Sequence, residues 1–367
     1  MGKKTVVQVL QEARWLRGSL VVLAITIPWF LAITWQHGSA YVDDFFGYHN
    51  FERFTRVVNN HAAPWYFYLL IVLIGFLPFS VQLPQAMLHQ RFWQRQQWQL
   101  TPRSQQLGLF ALCWFVSVFG FFSIAVTKLP SYVLPLIPAA AILVALLWSQ
   151  AVTSPSRTEG LGASITNGMN VLFLWVLAWL CWRLPDLLGP DTAAPDLPQA
   201  LQLSGAVKAA AVVWLVAAVL STLLLFSRRL PWIWGVMILA SLMFTTLTAT
   251  GGLYVLDSQR QQPLRELAIT AVEQRYPQEP LVMVGQKKPS VVFYSQLHVL
   301  FVRDPQELPR QLSELAELNA FDSFLILGTA SEIEVLETLG LTLQPLDQLG
   351  AYQLIRAQLS SLTQQPI

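Results

Sequence analysis

Seven long apolar runs are the feature that most constrains what this chain can fold into. Each holds about 20 residues, the length that an α-helix needs to cross the hydrocarbon core of a bilayer. Hydrophobic residues make up 54% of the 367 residues and charged residues only 12%, whereas soluble domains contain roughly 25% charged residues. A simple water-soluble enzyme is therefore excluded. The runs cover approximately residues 16–36, 65–87, 106–126, 130–150, 169–187, 206–227 and 231–254.

The composition changes along the chain. Residues 1–256 contain 23 charged residues, and the much shorter segment 257–367 contains 21. All 14 tryptophans lie at or before Trp234. We therefore predict a multi-pass α-helical membrane domain of about seven transmembrane helices over residues 1–256, followed by a small soluble α/β domain over residues 257–367. The two cysteines, Cys113 and Cys181, lie in apolar runs and provide no disulfide framework.

The C-terminal segment alternates between two periodicities. A helix with a charged face is predicted over residues 257–276, and further helices over 305–318 and 330–339. Short apolar runs typical of strands separate them, which indicates a layered α/β domain. The glycines at 285 and 328 are isolated, so no nucleotide-binding fingerprint is present. The predicted strands are 281–284, 298–302, 323–327 and 351–355.

Lysine and arginine set the predicted orientation. Connections between the runs alternate between one set with ten cations and another with three cations and six acids. The positive-inside rule then places the N-terminus in the cytoplasm, and seven crossings of the plasma membrane place residues 257–367 outside. The first run is too long for a signal peptide and is expected to be retained. The net charge of +2 gives no field suited to nucleic acid, so no nucleic-acid partner is expected.

The first outside connection, residues 37–64, concentrates polar chemistry. It contains three of the five histidines, and charged residues are interleaved with aromatic ones. At α-helical spacing Phe46, Asn50, Arg53 and Val57 share one side, which favours an amphipathic helix in the plane of the membrane interface. An ordinary surface helix with solvated charges is the alternative. The histidines and charged residues are His37, His49, His61, Asp43, Asp44, Glu52, Arg53 and Arg56.

A second stretch on the same face is TKLPSYVLPLIP, residues 127–138. Alone, it predicts only a lysine that extends toward the headgroups and a tyrosine anchored in the aromatic belt. The two stretches together offer three cations and a phenol at the headgroup level. Cations with a hydroxyl donor suit a phosphate, and arginine binds one in bidentate geometry. We predict a lipid-phosphate site formed by Arg53, Arg56, Lys128 and Tyr132.

These motifs carry a resemblance to a known family. FFGYHNFERF…HAAPWYFYL followed by S-x-x-x-x-KLPSYVLPLIP resembles membrane glycosyltransferases of the C-type fold, namely protein O-mannosyltransferase-like enzymes and lipid A aminoarabinose transferases. KPSVVFYSQ at residues 288–296 is similar to bacterial members. The resemblance implies a polyprenyl phosphate sugar as donor and an acceptor that attacks on the outer face. It implies that Arg53, Lys128 and Tyr132 contact the lipid phosphate, and that His49 contributes to a divalent-metal site.

One part of the family pattern has no counterpart here. Family members are usually much longer at the N-terminus, where a large outside loop carries acidic residues assigned as the general base. We expect a chain that starts around the family's later helices and lacks that base, so no catalytic residue is assigned. Asp43 and Asp44 belong to the later loop.

The predicted activity is transfer of a sugar from a polyprenyl phosphate sugar to a lipid or protein hydroxyl. We expect either a truncated gene product or a chain that pairs with a separate N-terminal half. A non-enzymatic subunit that binds lipid phosphate or supports assembly is the alternative hypothesis. A transporter is disfavoured, because the apolar runs contain almost none of the mid-membrane ionisable residues that ion relays use.

Overall fold

The computed structural model describes residues 6–57, 62–153, 161–189, 191–318 and 321–359. The chain forms two compact units, Met1–Thr166 and Asn167–Ile367. The domain boundary predicted between residues 256 and 257 lies inside the second unit, within the helix Thr250–Arg260. That boundary stays a prediction.

Helices make up the first unit, and the longest of them coincide with the apolar runs. Residues Asp43–Glu52 are π-helical, and 3₁₀ segments cover Phe79–Gln82, Arg103–Gln105 and Pro130–Leu136. The helix α10, Leu161–Leu187, begins in this unit and continues into the second. The other α-helices are α1 (Val6–Glu12), α2 (Trp15–His37), α3 (Ser39–Val42), α4 (Arg53–Thr55), α5 (Phe67–Gly75), α6 (Leu83–His89), α7 (Arg95–Leu100), α8 (Leu107–Ile124) and α9 (Ile137–Thr153).

The helix predicted in the first outside connection is present, but it is π-helical over residues 43–52. A π-helix closes its hydrogen bonds from i to i+5, so the α-helical face that grouped Phe46 with Asn50 does not apply there. Aromatic contacts hold this segment to α2. The rings of Phe30 and Phe45 lie 5.7 Å apart, and those of Phe30 and Phe46 lie 5.8 Å apart.

The second apolar run is a broken helix. Its two halves, Phe67–Gly75 and Phe79–His89, meet at an angle of 115°. Pro78 lies at the break and has no N–H to continue the helical ladder. The run begins near Lys128, whose ammonium lies 5.6 Å from the centre of the Tyr68 ring.

The far end of this broken helix lies at the opposite end of the unit. His89 Nε2 lies 2.5 Å from Gln150 Oε1 on α9, and Trp148 Nε1 donates to Gln82 Oε1 at 2.6 Å. Gln150 and Lys128 lie near opposite ends of the segment 130–153 that is long enough to span a membrane. The broken helix therefore connects the two ends of the unit, as a transmembrane crossing does.

The core of the first unit lies among α5, α6, α8 and α9. Tyr68, Leu136 and Leu143 are its largest fully buried side chains. By contrast, none of the residues of α2 is buried. An apolar helix with no buried face is stable only when lipid or another protein surrounds it.

The second unit joins membrane helices to a five-stranded sheet. A π-helical segment, Phe244–Ala249, and 3₁₀ turns at Leu230–Trp232 and Pro305–Glu307 complete it. Its strands are β1 (Leu281–Val284), β2 (Val299–Val302), β3 (Ser323–Thr329), β4 (Leu343–Leu349) and β5 (Tyr352–Gln358). Its remaining α-helices are α11 (Leu197–Ser204), α12 (Ala206–Phe226), α13 (Ile233–Met243), α14 (Thr250–Arg260), α15 (Gln262–Gln274), α16 (Pro289–Ser295), α17 (Leu308–Leu318) and α18 (Ala330–Thr338).

The sheet has the order β2-β1-β3-β5-β4. The pairs β1–β2 and β1–β3 are parallel, while β3–β5 and β4–β5 are antiparallel. Both faces of β1 are covered: Val282 and Val284 pack in one core, and Leu281 and Met283 pack in the other. This two-sided burial explains why the central strands are continuous apolar runs in the sequence.

Six helical segments in the described part of the chain are long and apolar enough to span a membrane, and the broken helix brings the number to seven. The predicted fold class, a multi-pass helical membrane protein with a small C-terminal α/β domain, is confirmed. The single segments are residues 15–37, 107–124, 130–153, 164–187, 206–226 and 230–274.

Candidate functional site

The two stretches singled out in the sequence meet in the first unit. The amide of Val126 donates to the carbonyl of Phe54 at 3.0 Å, and the amide of Thr127 donates to the carbonyl of Arg53 at 3.1 Å. The Thr127 hydroxyl also donates to the carbonyl of Arg56 at 2.7 Å. A short antiparallel bridge pairs Thr127 with Ala62. These backbone contacts place Arg53 beside the residue that precedes Lys128.

Arg53 is partly buried, and its guanidinium points toward the tyrosine of the second stretch. Its Nη1 donates to the Tyr132 hydroxyl at 3.4 Å. Its Nε is buried and has no acceptor among the described residues. A buried donor without a partner costs roughly 1–3 kcal/mol. The position therefore lacks a hydrogen-bond acceptor that a ligand oxygen can supply.

Lys128 is only 7% exposed, so it does not extend into solvent as the simpler interpretation predicted. Its Nζ donates to the carbonyls of Ser123 at 2.9 Å and Ala125 at 2.6 Å. These carbonyls lie at the C-terminal end of α8, where a cation is favourable. Burial lowers the pKa of this ammonium. An ammonium has three N–H donors, so one remains after these two bonds.

Tyr132 lies in the 3₁₀ segment Pro130–Leu136, which contains Pro130 and Pro135. Proline restricts φ and removes a backbone donor, which favours this short tight segment over a regular helix. The Tyr132 ring packs on the Phe122 ring with centroids 5.1 Å apart. This packing orients the phenol so that its hydroxyl meets the guanidinium of Arg53.

Arg56, the fourth predicted site residue, is more exposed than Arg53 and Lys128. Arg56 is exposed, and only its backbone carbonyl is joined to the second stretch. Sequence reasoning missed Tyr68, which is fully buried and presents its ring to the Lys128 ammonium. The sequence feature that could have identified Tyr68 is its position in HAAPWYFYL, immediately after the first outside connection.

The metal prediction lies outside what the structure describes. His49 belongs to the π-helical segment, but its side chain is not among the described ones, and His61 lies between the described ranges. Among the side chains that are described, no group of three His, Cys, Asp or Glu residues is arranged to hold a metal ion. A divalent metal at His49 stays a prediction.

Two solved structures are similar in fold to this chain. ArnT from Cupriavidus metallidurans, in a crystal structure with bound undecaprenyl phosphate, superimposes with a TM-score of 0.64 at 22% sequence identity. The superposition covers 96% of this chain and 63% of that protein. The fold is that of ArnT. The apo crystal structure of ArnT gives a TM-score of 0.66 and covers 95% of this chain.

Curated relatives carry a corresponding name. An undecaprenyl phosphate-α-4-amino-4-deoxy-L-arabinose arabinosyl transferase from Photorhabdus laumondii is 33% identical over 156 residues, which is 42% of this chain and 26% of the relative. A homologue from Pseudomonas fluorescens is 30% identical over 232 residues, covering 63% of this chain and 38% of the relative. The chain thus matches well under half the length of these relatives.

The C-terminal residues match a family model. Residues 274–367 match the C-terminal domain of cyanobacterial RgtA-type glycosyltransferases. The predicted resemblance to membrane glycosyltransferases that use lipid-linked sugars is confirmed by this match, by the ArnT fold and by the named relatives.

Proposed function

We propose that this chain binds the phosphate of a polyprenyl phosphate sugar and takes part in transferring the sugar to a lipid or protein hydroxyl. The observation that carries the proposal is the buried Nε of Arg53, which has no acceptor in the described part of the chain. A phosphate oxygen is an acceptor of suitable charge and geometry for this donor. The undecaprenyl phosphate named for ArnT and its relatives belongs to the same chemical class.

The residues around this donor suit a leaving phosphate. During transfer the bond between the anomeric carbon and the phosphate oxygen breaks, and a bond from the acceptor oxygen forms. Negative charge grows on the phosphate, and fixed cations lower the energy of that change. Arg53 and the remaining N–H of Lys128 supply positive charge, and the Tyr132 hydroxyl supplies a further donor. The exposed Arg56 approaches the phosphate from the open side.

The acceptor hydroxyl loses its proton to a general base, and we assign none to this chain. We propose that a separate N-terminal half supplies it. The site faces the outside of the plasma membrane in this proposal, as does the C-terminal α/β domain, because the distribution of lysine and arginine favours that orientation. No step of the proposed reaction uses the metal expected at His49.

Binding and transfer are tested separately. The purified chain is titrated with a fluorescent polyprenyl phosphate, in parallel with Arg53→Ala, Lys128→Ala and the control Lys208→Ala, an exposed lysine of α12. We expect loss of binding in the first two variants and ordinary binding in the control. Equal binding by all four proteins would reject the phosphate site.

Transfer is measured with a radiolabelled polyprenyl phosphate sugar, with and without the N-terminal half of an ArnT relative. Product that requires both polypeptides supports the proposed reaction. Binding without transfer under both conditions would favour a non-enzymatic lipid-phosphate-binding subunit instead.

A further inference from the structure

A second site of interest lies in the other unit, where α12 ends and α13 begins. A cleft of about 580 Å³ is lined by apolar side chains, with an arginine and a tryptophan at its rim. Both flanking segments are long and apolar enough to span a membrane, so the cleft opens where they meet the headgroups. Its lining residues are Leu224, Arg229, Pro231, Trp232, Gly235, Val236 and Leu239.

The helix α12 ends in a turn that contains one residue with a left-handed backbone conformation. The amide of Arg229 donates to the carbonyl of Leu224 at 2.9 Å, and the amide of Arg228 donates to the carbonyl of Leu225 at 3.2 Å. This pair of bonds is the Schellman motif, whose left-handed residue is usually glycine. Here that residue is Arg228, with φ of 55°. Any residue other than glycine is strained at this φ.

Arginine with a positive φ occurs at other positions in the chain. Five non-glycine residues in the described ranges have positive φ, and three of them are arginines next to membrane helices: Arg14, Arg91 and Arg228. All three belong to connections predicted to face the cytoplasm. Within the described part of the chain, neither Arg228 nor Arg229 pairs with a carboxylate.

Apart from Arg229, the side chains that line the cleft are apolar or aromatic. Gly235 leaves open space where a side chain would stand, since no heavy atom lies within 4 Å of its added Cβ position. From Ile233 to Leu239 the helix descends about 9 Å, which is deep enough for the first part of an acyl chain. The exposed ring of Trp232 lies at the depth where tryptophan anchors in an interface.

We propose that this cleft binds an anionic glycerophospholipid, with its phosphate on Arg228 and Arg229 and one acyl chain along Leu224, Val236 and Leu239. Arg229 lines the apolar groove and Arg228 precedes it in the turn, and neither pairs with a carboxylate in the described part of the chain. Together they complement a headgroup with a net negative charge, and basic pockets between membrane helices bind anionic headgroups. The site consists of residues 224–239 and shares none of them with the proposed donor site at residues 53–132.

The test uses the purified chain in nanodiscs of phosphatidylcholine, titrated with phosphatidylglycerol. Native mass spectrometry counts the retained lipid, and tryptophan fluorescence follows the unfolding temperature. We expect phosphatidylglycerol to be retained in preference to phosphatidylcholine and to raise the unfolding temperature. Arg229→Gln should weaken retention about fivefold, the effect of losing one cation near an anionic headgroup.

Two matched variants sharpen the result. Arg228→Gly removes the strain together with the charge, so it should raise the unfolding temperature in phosphatidylcholine while weakening phosphatidylglycerol retention. Lys208→Gln removes one cation from the other end of α12 and should retain phosphatidylglycerol normally. Equal retention of both lipids, an equal loss in Lys208→Gln, or the same stabilisation by inorganic phosphate alone would overturn the proposal.

Discussion

Two arginines, one in each unit, have opposite hydrogen-bond environments: Arg356 is buried and Arg53 is partly buried. Arg356 in β5 donates to both oxygens of Glu279, from Nε at 2.8 Å and from Nη2 at 3.2 Å, and its guanidinium lies 3.9 Å from the centre of the Tyr276 ring. Arg53 makes one long bond of 3.4 Å to Tyr132, and its buried Nε has no acceptor in the described residues. The fold satisfies the first arginine, and the lipid phosphate that we propose would satisfy the second.

The partner of Arg356 is equally well satisfied. Glu279 also accepts from the Ser323 hydroxyl at 2.7 Å and from the Tyr276 amide at 2.9 Å. Burial by itself raises the pKa of Glu279, but the hydrogen bonds from Arg356, Ser323 and Tyr276 outweigh it and hold the pKa below its usual value. A buried ion pair with complete partners is a structural element. An arginine with a buried, unused donor is the observation on which the proposed phosphate site rests.

The largest effect is expected when the satisfied pair is broken. Arg356→Met leaves the Glu279 carboxylate buried and unpaired, so the free energy of unfolding should fall by about 3–5 kcal/mol. The double variant Arg356→Met, Glu279→Leu should recover most of this loss. Hydrogen exchange of the β3 and β5 amides measures it. Polyprenyl phosphate affinity should stay normal while the chain is folded, and a loss of affinity without a loss of stability would contradict the comparison.

Removing the Arg53 guanidinium should lower the affinity for polyprenyl phosphate and leave the stability of the fold unchanged. In Arg53→Gln, polyprenyl phosphate affinity should fall about 10- to 100-fold, which corresponds to one or two hydrogen bonds from a charged donor. The unfolding temperature should not fall, because a buried unpaired donor has been removed. Arg183→Gln is the control, since Arg183 forms an exposed pair with Asp186. A less stable variant with normal affinity would show that Arg53 is structural.

Lys128 should give an intermediate result, because two of its donors hold α8 and one is free. Lys128→Met should lower the free energy of unfolding by about 1 kcal/mol, since it removes a cation from the C-terminal end of a helix. It should also weaken polyprenyl phosphate binding. Thermal unfolding and lipid titration of the same preparation measure both effects. A change in stability alone would show that Lys128 is only structural, and a change in affinity alone would show that it acts only in phosphate binding.

The smallest effect concerns pH. Because the pKa of Glu279 is lower in the folded chain than in the unfolded chain, its contribution to stability is complete above the unfolded value of about 4.3 and is lost as the pH falls through the folded value. The sheet domain should therefore keep its stability from pH 7 to about pH 5 and lose it below. Glu279→Gln should lack this part of the acid dependence, whereas Glu334→Gln, at an exposed position of α18, should retain it.

Several elements were predictable because a single local property determines them. The long apolar runs became membrane helices, and the continuous apolar strands LVMV and SFLIL became β1 and β3. The strand β4 was missed because LQPLDQL contains Pro345 and Asp347, which are unfavourable in strands. It is an edge strand with an irregularity between these two residues, and edge positions tolerate proline.

The candidate site was predicted in part. Composition and order along the chain were enough to group Arg53, Lys128 and Tyr132. They did not indicate that the Lys128 ammonium bonds the carbonyls at the end of α8, or that Tyr68 lies beneath it. Some of those contacts join residues far apart in sequence, and others depend on the direction of a side chain. Neither property produces a recognisable pattern in the local sequence.

Hydrophobicity along the chain determined by itself that this protein has membrane helices followed by a small C-terminal α/β domain, because the length and apolar character of each run can be read without its neighbours. The tertiary structure alone decided which of the two arginines has hydrogen-bond acceptors for its buried donors. Arg53 and Arg356 are the same residue type, and their chemistry differs only because folding brings Glu279 to one and leaves the Nε of the other without an acceptor in the described residues.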